Sequence, residues 1–180
     1  MNIVILMASP NENGSTAMLA DSFRQGAEAC GHSVRLIRTA KLNISPCTGC
    51  TACGYEGECV QQDDNGIIRS ALLSCDMVVF ATPLYYYGMS AQLKTVVDRF
   101  CAYNSSLSRR HLKSALLSAA WNADDWTFEA LEAHYRTLVR YIRFEDMGTV
   151  LGRGCGTPSM TRMSRYPEQA YRLGTSLSRR

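Results

Sequence analysis

Short apolar runs alternate with amphipathic stretches along this chain, and that alternation constrains the fold more than any other feature. The first run, Asn2–Met7, is rich in β-branched residues, which is typical of a strand covered on both faces. Strands that alternate with helices form a parallel sheet between helical layers. The sequence therefore predicts an α/β, doubly wound five-stranded parallel sheet in the order 2-1-3-4-5, within one domain over residues 1–180. The predicted strands are residues 2–7, 33–38, 77–81, 115–120 and 149–151, and the main predicted helices are residues 17–30, 65–74, 90–101 and 128–142.

A loop of small polar residues, 9–16, joins the first strand to the first helix. Its backbone N–H groups, its hydroxyls and the positive end of the helix would all face one anion. The loop has no Lys or Arg, and it lacks both the dinucleotide and the nucleoside-triphosphate glycine patterns. A terminal monophosphate fits best, with a simple helix cap as the alternative. The candidate anion site is thus the whole loop, Ser9-Pro10-Asn11-Glu12-Asn13-Gly14-Ser15-Thr16.

Two further loops would lie at the same edge, because ligands of such sheets bind outside the carboxyl ends of the strands. The loop after the third strand, residues 82–89, contains three consecutive tyrosines, and the fourth strand leads into Trp121 and Asn122. Flat aromatic walls and an amide suit a planar heteroaromatic ring. Beside a phosphate site they indicate flavin mononucleotide, FMN, although tyrosines packed on the core are the alternative. The candidate ring contacts are Tyr85, Tyr86, Tyr87, Gly88, Met89, Trp121 and Asn122.

Four of the eight cysteines lie in residues 39–62, a segment with neither helical nor strand periodicity. A span of that length without regular structure is usually functional or tied down internally. The spacing of Cys47, Cys50, Cys53 and Cys59 would let one loop wrap a four-iron, four-sulfur cluster. A tetrahedral zinc ion and free thiols are the alternatives.

The overall composition argues against several classes of protein. Hydrophobic residues make up 46% and charged residues 19% of the chain, and no apolar run reaches the length of a membrane span. No secretory signal is recognisable, so we expect a cytoplasmic protein without a membrane partner. A net charge of +3 is too weak to indicate nucleic acid, and we interpret the basic spots at residues 109–111 and 179–180 as solvated ends.

Several motifs together carry a resemblance to a known family. They are Ser9-Pro10-Asn11-x-Asn13-Gly14-Ser15-Thr16, Pro46-Cys47-x-Gly49-Cys50-x-x-Cys53, Asp63-Asp64 and Thr82-Pro83-Leu84-Tyr85-x-x-Gly88-Met89-Ser90, with Lys94 and Asp98-Arg99 downstream. This set resembles the NADPH-dependent FMN reductases and iron–sulfur flavoproteins of the flavodoxin-like superfamily, most strongly before residue 100. The resemblance implies a flavodoxin-like fold with non-covalently bound FMN. It places Ser9, Asn11, Asn13, Gly14, Ser15 and Thr16 at the phosphate and Pro83, Leu84, Tyr85, Tyr86, Tyr87, Gly88 and Met89 along the ring. It also implies a four-iron cluster in the cysteine loop and a homodimer or homotetramer with the flavin at a subunit interface.

The expected function is that of an FMN-dependent oxidoreductase. It would pass hydride from NAD(P)H to the flavin and electrons onward, through a cluster if one is bound, to a small-molecule acceptor or a redox protein. No side chain is assigned as a catalytic acid or base, because the flavin ring makes and breaks the bonds. A non-enzymatic electron carrier is the main alternative, although such carriers are usually acidic. A binding module that has lost its flavin is the third. The sequence leaves open the acceptor, the choice between NADH and NADPH, and the oligomer number.

Overall fold

The computed structural model describes residues 1–177, so the basic pair at 179–180 lies outside the described residues. The strands are β1 Asn2–Met7, β2 Ser33–Arg38, β3 Met77–Tyr85, β4 Gly88–Met89, β5 Lys113–Ala119 and β6 Glu145–Gly152. The helices are α1 Ser15–Ala29, α2 Asn65–Ser74, α3 Ala91–Asp98, α4 Asn104–Arg110, α5 Glu129–Ile142, α6 Pro158–Arg162 and α7 Tyr166–Thr175. Three 3₁₀ turns cover Thr39–Lys41, Arg99–Tyr103 and Asp125–Phe128. Within residues 1–177, none of these helices has the length and apolar character needed to cross a bilayer.

Five parallel strands form the sheet in the order β2-β1-β3-β5-β6. This confirms the predicted order 2-1-3-4-5, because the two-residue β4 lies off that path and pairs antiparallel with the end of β3. The strand order reverses between β1 and β3. In folds of this class the crevice outside that switch point is where ligands bind.

The two faces of the sheet are covered by separate helical layers. Val4 and Leu6 of β1 contribute to a core formed with α2, α3 and α5. Ile3 and Ile5 point to the other face, where the core is formed with α1 and α7. All four side chains are at most 4% exposed, as expected for a central strand covered on both sides. The predicted doubly wound architecture is confirmed.

Helices α1 and α7 approach each other closely enough to exclude side chains at two glycines. A Cβ on Gly26 of α1 would lie 2.2 Å from the carbonyl oxygen of Tyr171. A Cβ on Gly174 of α7 would lie 2.3 Å from the carbonyl oxygen of Phe23. Both distances are impossible for real atoms, so the contact between the helices requires glycine at each position.

Several predicted boundaries were wrong. The third strand extends beyond residue 81, because Thr82 and Pro83 still pair with Ser118 and Ala119 of β5 and the strand then turns back into β4. The helix predicted over residues 90–101 ends at Asp98 and is followed by a 3₁₀ turn. The last strand begins at Glu145 rather than 149, because its polar first residues still pair with β5.

Candidate functional site

The loop between β1 and α1 is shaped by its own side chains. The Ser9 hydroxyl accepts a hydrogen bond from the Asn11 backbone N–H at 3.2 Å, and the Asn11 side-chain oxygen accepts one from the Asn13 N–H at 3.1 Å. The first helical hydrogen bond runs from the Met18 N–H to the Gly14 carbonyl. The N–H groups of the helical residues before Met18 therefore have no acceptor within the helix, and the positive end of a 15-residue helix faces the loop.

One hydroxyl in this loop is buried without a partner. The Ser15 Oγ atom is closed off from solvent and makes no hydrogen bond within the described residues. Ser15 is the first residue of α1, and it lines a cavity of about 240 Å³ together with Ser9 and Thr16. A buried hydroxyl is normally hydrogen-bonded, and an anion at the start of a helix would satisfy it. We call this cavity the phosphate cavity.

An aromatic cavity of about 240 Å³ adjoins the phosphate cavity, with Leu84 and Trp121 in the walls of both. Tyr86 and Tyr87 form the turn between β3 and β4, and both have a left-handed backbone, with φ of 46° and 63°. Such a conformation is unfavourable for tyrosine and favours Asn-Gly in a two-residue hairpin. Tyr86 is fully exposed, and Tyr87 packs on Trp126 with ring centroids 5.0 Å apart. Strain of this kind accumulates at ligand sites.

Trp121 is held over a glycine in the loop after β6. A Cβ on Gly156 would lie 2.0 Å from the Trp121 ring, so the indole rests directly on the glycine backbone. The outer part of the side chain remains free, because Trp121 is 71% exposed. The loop after β6 thus sets the position of an aromatic wall that the loop after β5 supplies.

The fold brings most of the predicted cofactor residues to this pair of cavities. Ser9, Asn11, Gly14, Ser15, Thr16, Pro83, Leu84, Tyr85 and Trp121 line the phosphate cavity, and Tyr86, Tyr87 and Asn122 line the aromatic one. Asn13 instead lines a neighbouring cleft, and Gly88 and Met89 line neither cavity. The prediction omitted Ala119, Ala120, Cys155, Gly156 and Pro158, although the glycine-rich stretch after β6 indicated a close backbone approach there.

The four predicted metal ligands line one cavity of about 110 Å³, together with Cys101 from the turn after α3. Cys47 and Cys50 are exposed, whereas Cys53 and Cys59 are partly buried against the core. The Gly49 N–H donates to the Cys47 sulfur at 3.5 Å. Hydrogen bonds from the Ala52 backbone and the Thr48 hydroxyl lower the pKa of the Cys50 thiol.

Arg99 connects the two ends of the cysteine loop through hydrogen bonds and an ion pair. Its guanidinium donates to the Ser45 carbonyl at 2.8 Å and to the Gln61 carbonyl at 3.4 Å, and it forms an ion pair with Asp63 at 2.6 Å. The Arg99 side chain is 1% exposed. Burial lowers the pKa of this guanidinium, but the hydrogen bond and charge of Asp63 and the nearby Cys59 sulfur raise it overall. The loop therefore has internal ties that need no metal.

The residues that line the cysteine cavity are of the type that binds an iron–sulfur cluster, but their sulfur atoms lie too far apart to share one metal ion. The Arg99 Nε atom is buried and has no hydrogen-bond partner, and Arg99 lines the cavity, so an anionic group there would satisfy it. Thiolate is the ligand that iron–sulfur clusters use. Among residues 1–177, however, no three cysteine, histidine or acidic side chains are grouped closely enough to hold one metal ion.

A cavity of about 650 Å³ lies at the opposite edge of the sheet, where the strands begin. It is lined by charged groups that already have partners. Asp76 accepts the Asn2 N–H at 2.7 Å, Arg110 donates to the Cys75 carbonyl at 2.8 Å, and Lys113 pairs with Glu145 at 3.1 Å. Ligands of doubly wound sheets bind at the other edge, so size does not make this cavity the functional site.

Comparisons with known proteins agree with this geometry. A family model described as NADPH-dependent FMN reductase matches residues 1–146. An iron-sulfur flavoprotein of Archaeoglobus fulgidus is 34% identical over 103 residues, which cover 57% of this chain and 47% of that protein. YwqN of Bacillus subtilis, whose name describes an NAD(P)H-dependent FMN-containing oxidoreductase, is 32% identical over 100 residues, which cover 56% of this chain and 52% of that protein. The match thus spans about half the length of each relative.

A likeness in fold extends over the whole chain. The NAD(P)H:quinone oxidoreductase of Methanothermobacter marburgensis has a TM-score of 0.80 at 17% sequence identity, and the match covers 100% of this chain and 97% of that one. At this level of identity the likeness concerns the architecture alone.

Proposed function

The chain belongs to the NADPH-dependent FMN reductase family, and on this premise we propose that it binds FMN in the two adjoining cavities and acts as an NAD(P)H-dependent oxidoreductase. The flavin would accept hydride from the nicotinamide and pass electrons to a small-molecule acceptor or a redox protein. The curated relatives are about twice as long as the part that matches, so the proposal concerns what this chain can bind and do.

The observation that carries the proposal is the unpartnered Ser15 hydroxyl at the start of α1. The backbone N–H groups of the first turn face the same point, and residues 9–16 contain no cationic side chain. A phosphate held by neutral donors and a helix dipole suits a terminal monophosphate. The Ser15 hydroxyl and these N–H groups would hold the FMN phosphate at this end of the site.

The aromatic cavity supports the ring end of the same ligand. Tyr86, Tyr87 and Trp121 offer flat apolar surfaces, and the Asn122 amide offers a donor and an acceptor to ring edges. These side chains would orient the ring and exclude water from it. The flavin would supply the bond-making chemistry, so binding and orienting the ring would be the contribution of these residues.

We further propose that the cysteine loop binds a four-iron, four-sulfur cluster through Cys47, Cys50, Cys53 and Cys59. The proposal rests on four thiols around one cavity and on the unpartnered Arg99 Nε atom beside them. The Gly49 N–H that already donates to the Cys47 sulfur is the kind of contact that stabilises a thiolate ligand. Binding would require the loop to bring its sulfurs closer together than they lie here.

A homodimer or homotetramer is the expected assembly. Five exposed aromatic side chains near the aromatic cavity support this proposal: Tyr85, Tyr86, Tyr87, Trp121 and Trp126. A surface patch of this kind is more apolar than a monomeric protein usually leaves in water. A non-enzymatic electron carrier is the rival function. The net charge of +3 counts against it, because such carriers usually dock through acidic surfaces.

The test begins with anaerobic purification of the full chain, followed by an absorbance spectrum and assays for FMN, iron, sulfide and zinc. We expect one FMN per chain, and iron and sulfide in amounts equal to each other. We also expect the protein to oxidise NADPH when a quinone is supplied. FMN without turnover on any acceptor would favour the carrier, and failure to bind added FMN would refute the whole proposal. Iron in the Cys59→Ser variant should be lost and in the Cys75→Ser variant retained, because Cys75 is buried away from the loop. Zinc without sulfide, or metal-free thiols, would overturn the cluster.

A further inference from the structure

Among the residues that the structure describes, Cys101 is the one cysteine outside the cysteine loop that lines the cysteine cavity. It lies in the 3₁₀ turn after α3, two residues beyond Arg99, and it is exposed. The proposed cluster uses four thiols of the loop and gives this fifth thiol no role. Its position beside the other four therefore needs a separate explanation.

One hydrogen bond fixes Cys101 relative to the start of the cysteine loop. Arg99 donates at 2.8 Å to the carbonyl of Ser45, two residues before Cys47. Cys101 follows Arg99 by two residues in the same turn. Because only a short segment separates each cysteine from this contact, Cys47 and Cys101 are held on the same side of the cavity.

A second set of contacts holds the middle of the cysteine loop against α4. The Ser105 N–H donates to the Tyr55 carbonyl at 3.4 Å, and the Ser106 hydroxyl donates to the Glu56 carboxylate at 2.6 Å. The loop is thus attached to the chain on both sides of Cys101. The position of this thiol over the loop is therefore set by the packing of the loop itself.

The Cys101 thiol interacts directly with the Cys47 sulfur. Burial raises the pKa of the Cys101 thiol, and Cys47 raises it further through its charge and through a hydrogen bond. Cys53 also acts through its charge, but it is partly buried against the core. Cys47 and Cys101 are both exposed, so a small oxidant in solution can reach this pair. A disulfide joins only two sulfur atoms, so it does not need the wider grouping that a metal ion requires.

We propose that Cys47 and Cys101 form a reversible disulfide when the cysteine loop carries no cluster. The bond uses one of the four proposed cluster ligands, so the oxidised chain cannot assemble a cluster until the bond is reduced. Exposed disulfides are the readily reduced ones, and they are typical of regulatory rather than structural pairs. The inference goes beyond the proposed function and depends on neither the flavin nor the cluster.

Hydrogen peroxide is the oxidant that we assign to this step. One thiol of the pair attacks a peroxide oxygen as the thiolate, the O–O bond breaks, and a sulfenic acid and one water are formed. The other thiol attacks the sulfenic sulfur, the S–O bond breaks as the S–S bond forms, and the thiol proton leaves with the oxygen as a second water. The pair gives up two electrons and two protons in total, and the peroxide is reduced to water.

The test treats the full chain, freed of any iron by chelation, with an equimolar amount of hydrogen peroxide and counts the free thiols in denaturant. The wild type should lose two of its eight thiols, and dithiothreitol should restore them. Mass spectrometry of the unreduced tryptic digest should show residues 100–109 linked to the peptide that contains Cys47.

Three single variants assign the bond. The linked peptide should disappear in Cys47→Ser and in Cys101→Ser. It should persist in Cys50→Ser, the matched control, which removes another exposed thiol of the same loop. All three positions are exposed, so the substitutions leave the core intact. An unchanged thiol count in the wild type, a disulfide between two cysteines of the loop, or a disulfide between two chains would overturn the proposal.

Iron content separates this inference from the proposed cluster. A chain that never binds iron but forms the Cys47–Cys101 disulfide would overturn the cluster and support the present proposal. A chain that binds iron under anaerobic conditions, but forms no such disulfide once the iron is removed, would do the reverse.

Discussion

Arg99 and Asp63 form an ion pair at 2.6 Å, with only 1% and 7% of their side chains exposed, directly beneath the cysteine cavity. A second carboxylate oxygen of Asp63 accepts the Asn65 N–H at 3.0 Å, at the start of α2. The pair therefore joins three parts of the chain: the cysteine loop, α2 and the turn after α3.

Replacing Asp63 by Asn should destabilise the protein strongly. The change leaves the Arg99 charge buried without a partner, and such a loss lowers the free energy of unfolding by about 3–5 kcal/mol. Urea denaturation of the metal-free protein measures it. The control is Glu168→Gln, whose pair with Arg172 is 61–76% exposed and should contribute less than about 1 kcal/mol. Equal midpoints for the two variants would contradict the role of the buried pair.

The same carboxylate should make stability depend on acid pH. Burial alone would raise the pKa of Asp63, but hydrogen bonds from Arg99 and from the Ser45 and Asn65 N–H groups lower it overall. Because the pKa of Asp63 is lower in the folded than in the unfolded protein, the ionised carboxylate stabilises the fold at pH values above its unfolded pKa, about 3.9. This stabilisation is lost as the pH falls through the pKa of the folded protein. Glu56 adds to the trend, since hydrogen bonds from Ser106 and Arg109 lower its pKa to about 2. Below about pH 5, the free energy of unfolding should decrease less steeply with falling pH in the Asp63→Asn variant than in the wild type.

Replacing Ser15 by Ala should separate flavin binding from stability. The hydroxyl has no hydrogen bond to lose in the free protein, so the thermal midpoint without FMN should stay the same or rise. The dissociation constant for FMN should rise about tenfold to a hundredfold, because a hydrogen-bond donor to a charged phosphate is lost. Fluorescence titration with FMN measures this effect, and Ser22→Ala in the same helix is the control. Unchanged affinity in Ser15→Ala would refute the phosphate site at this helix end.

Replacing Tyr86 by Asn should raise stability and weaken flavin binding together. Asn tolerates the left-handed backbone that Tyr86 adopts at φ 46°, and Tyr86 is fully exposed, so about 1 kcal/mol of strain is relieved at little cost. FMN affinity should drop about threefold to tenfold with the loss of one aromatic surface. The two effects are read from chemical denaturation and FMN titration. A variant less stable than the wild type would contradict the strain in this turn.

Two glycine substitutions should have opposite effects. Gly174→Ala places a methyl group against the Phe23 carbonyl of α1 and should lower the free energy of unfolding by about 1–3 kcal/mol or more. Gly66→Ala lies in α2 with no atom within 4 Å of the new methyl group, and should raise it by about 0.5–1 kcal/mol. Thermal melts of the two proteins side by side measure the difference. A stable Gly174→Ala variant would mean that α7 can move away from α1.

The sequence predicted the parallel sheet because its central strands are apolar on both faces. Strands β1 and β2 and helix α2 have the predicted bounds: β1 is a continuous apolar run, whereas β2 and α2 carry the alternation of apolar and polar residues expected for a half-buried strand and an amphipathic helix. Strand β6 was predicted too short, because its exposed acidic start carries no apolar signal. Helix α4 was not predicted at all. It is seven residues long and begins with Asn104-Ser105-Ser106, which resembles a loop in composition.

The candidate site could be predicted to a similar degree. Loops that follow neighbouring parallel strands must meet, so residues 9–16 and Tyr85 could be placed together without coordinates. Nothing in the sequence indicated that Arg99, some fifty residues after Cys47, would lie beneath the cysteine cavity. A fully buried arginine is rare, and its partner Asp63 is distant in sequence. Such a pairing becomes visible only when the helices are packed.

The close contact between α1 and α7 joins the beginning of the chain to residues 166–175. During synthesis on the ribosome, one face of β1 and the apolar side of α1 are complete more than a hundred residues before the helix that covers them. At about 5–20 residues per second, this surface stays uncovered for about 7 to 27 seconds. Apolar surface exposed for that interval is prone to aggregation until α7 is synthesised and packs on α1.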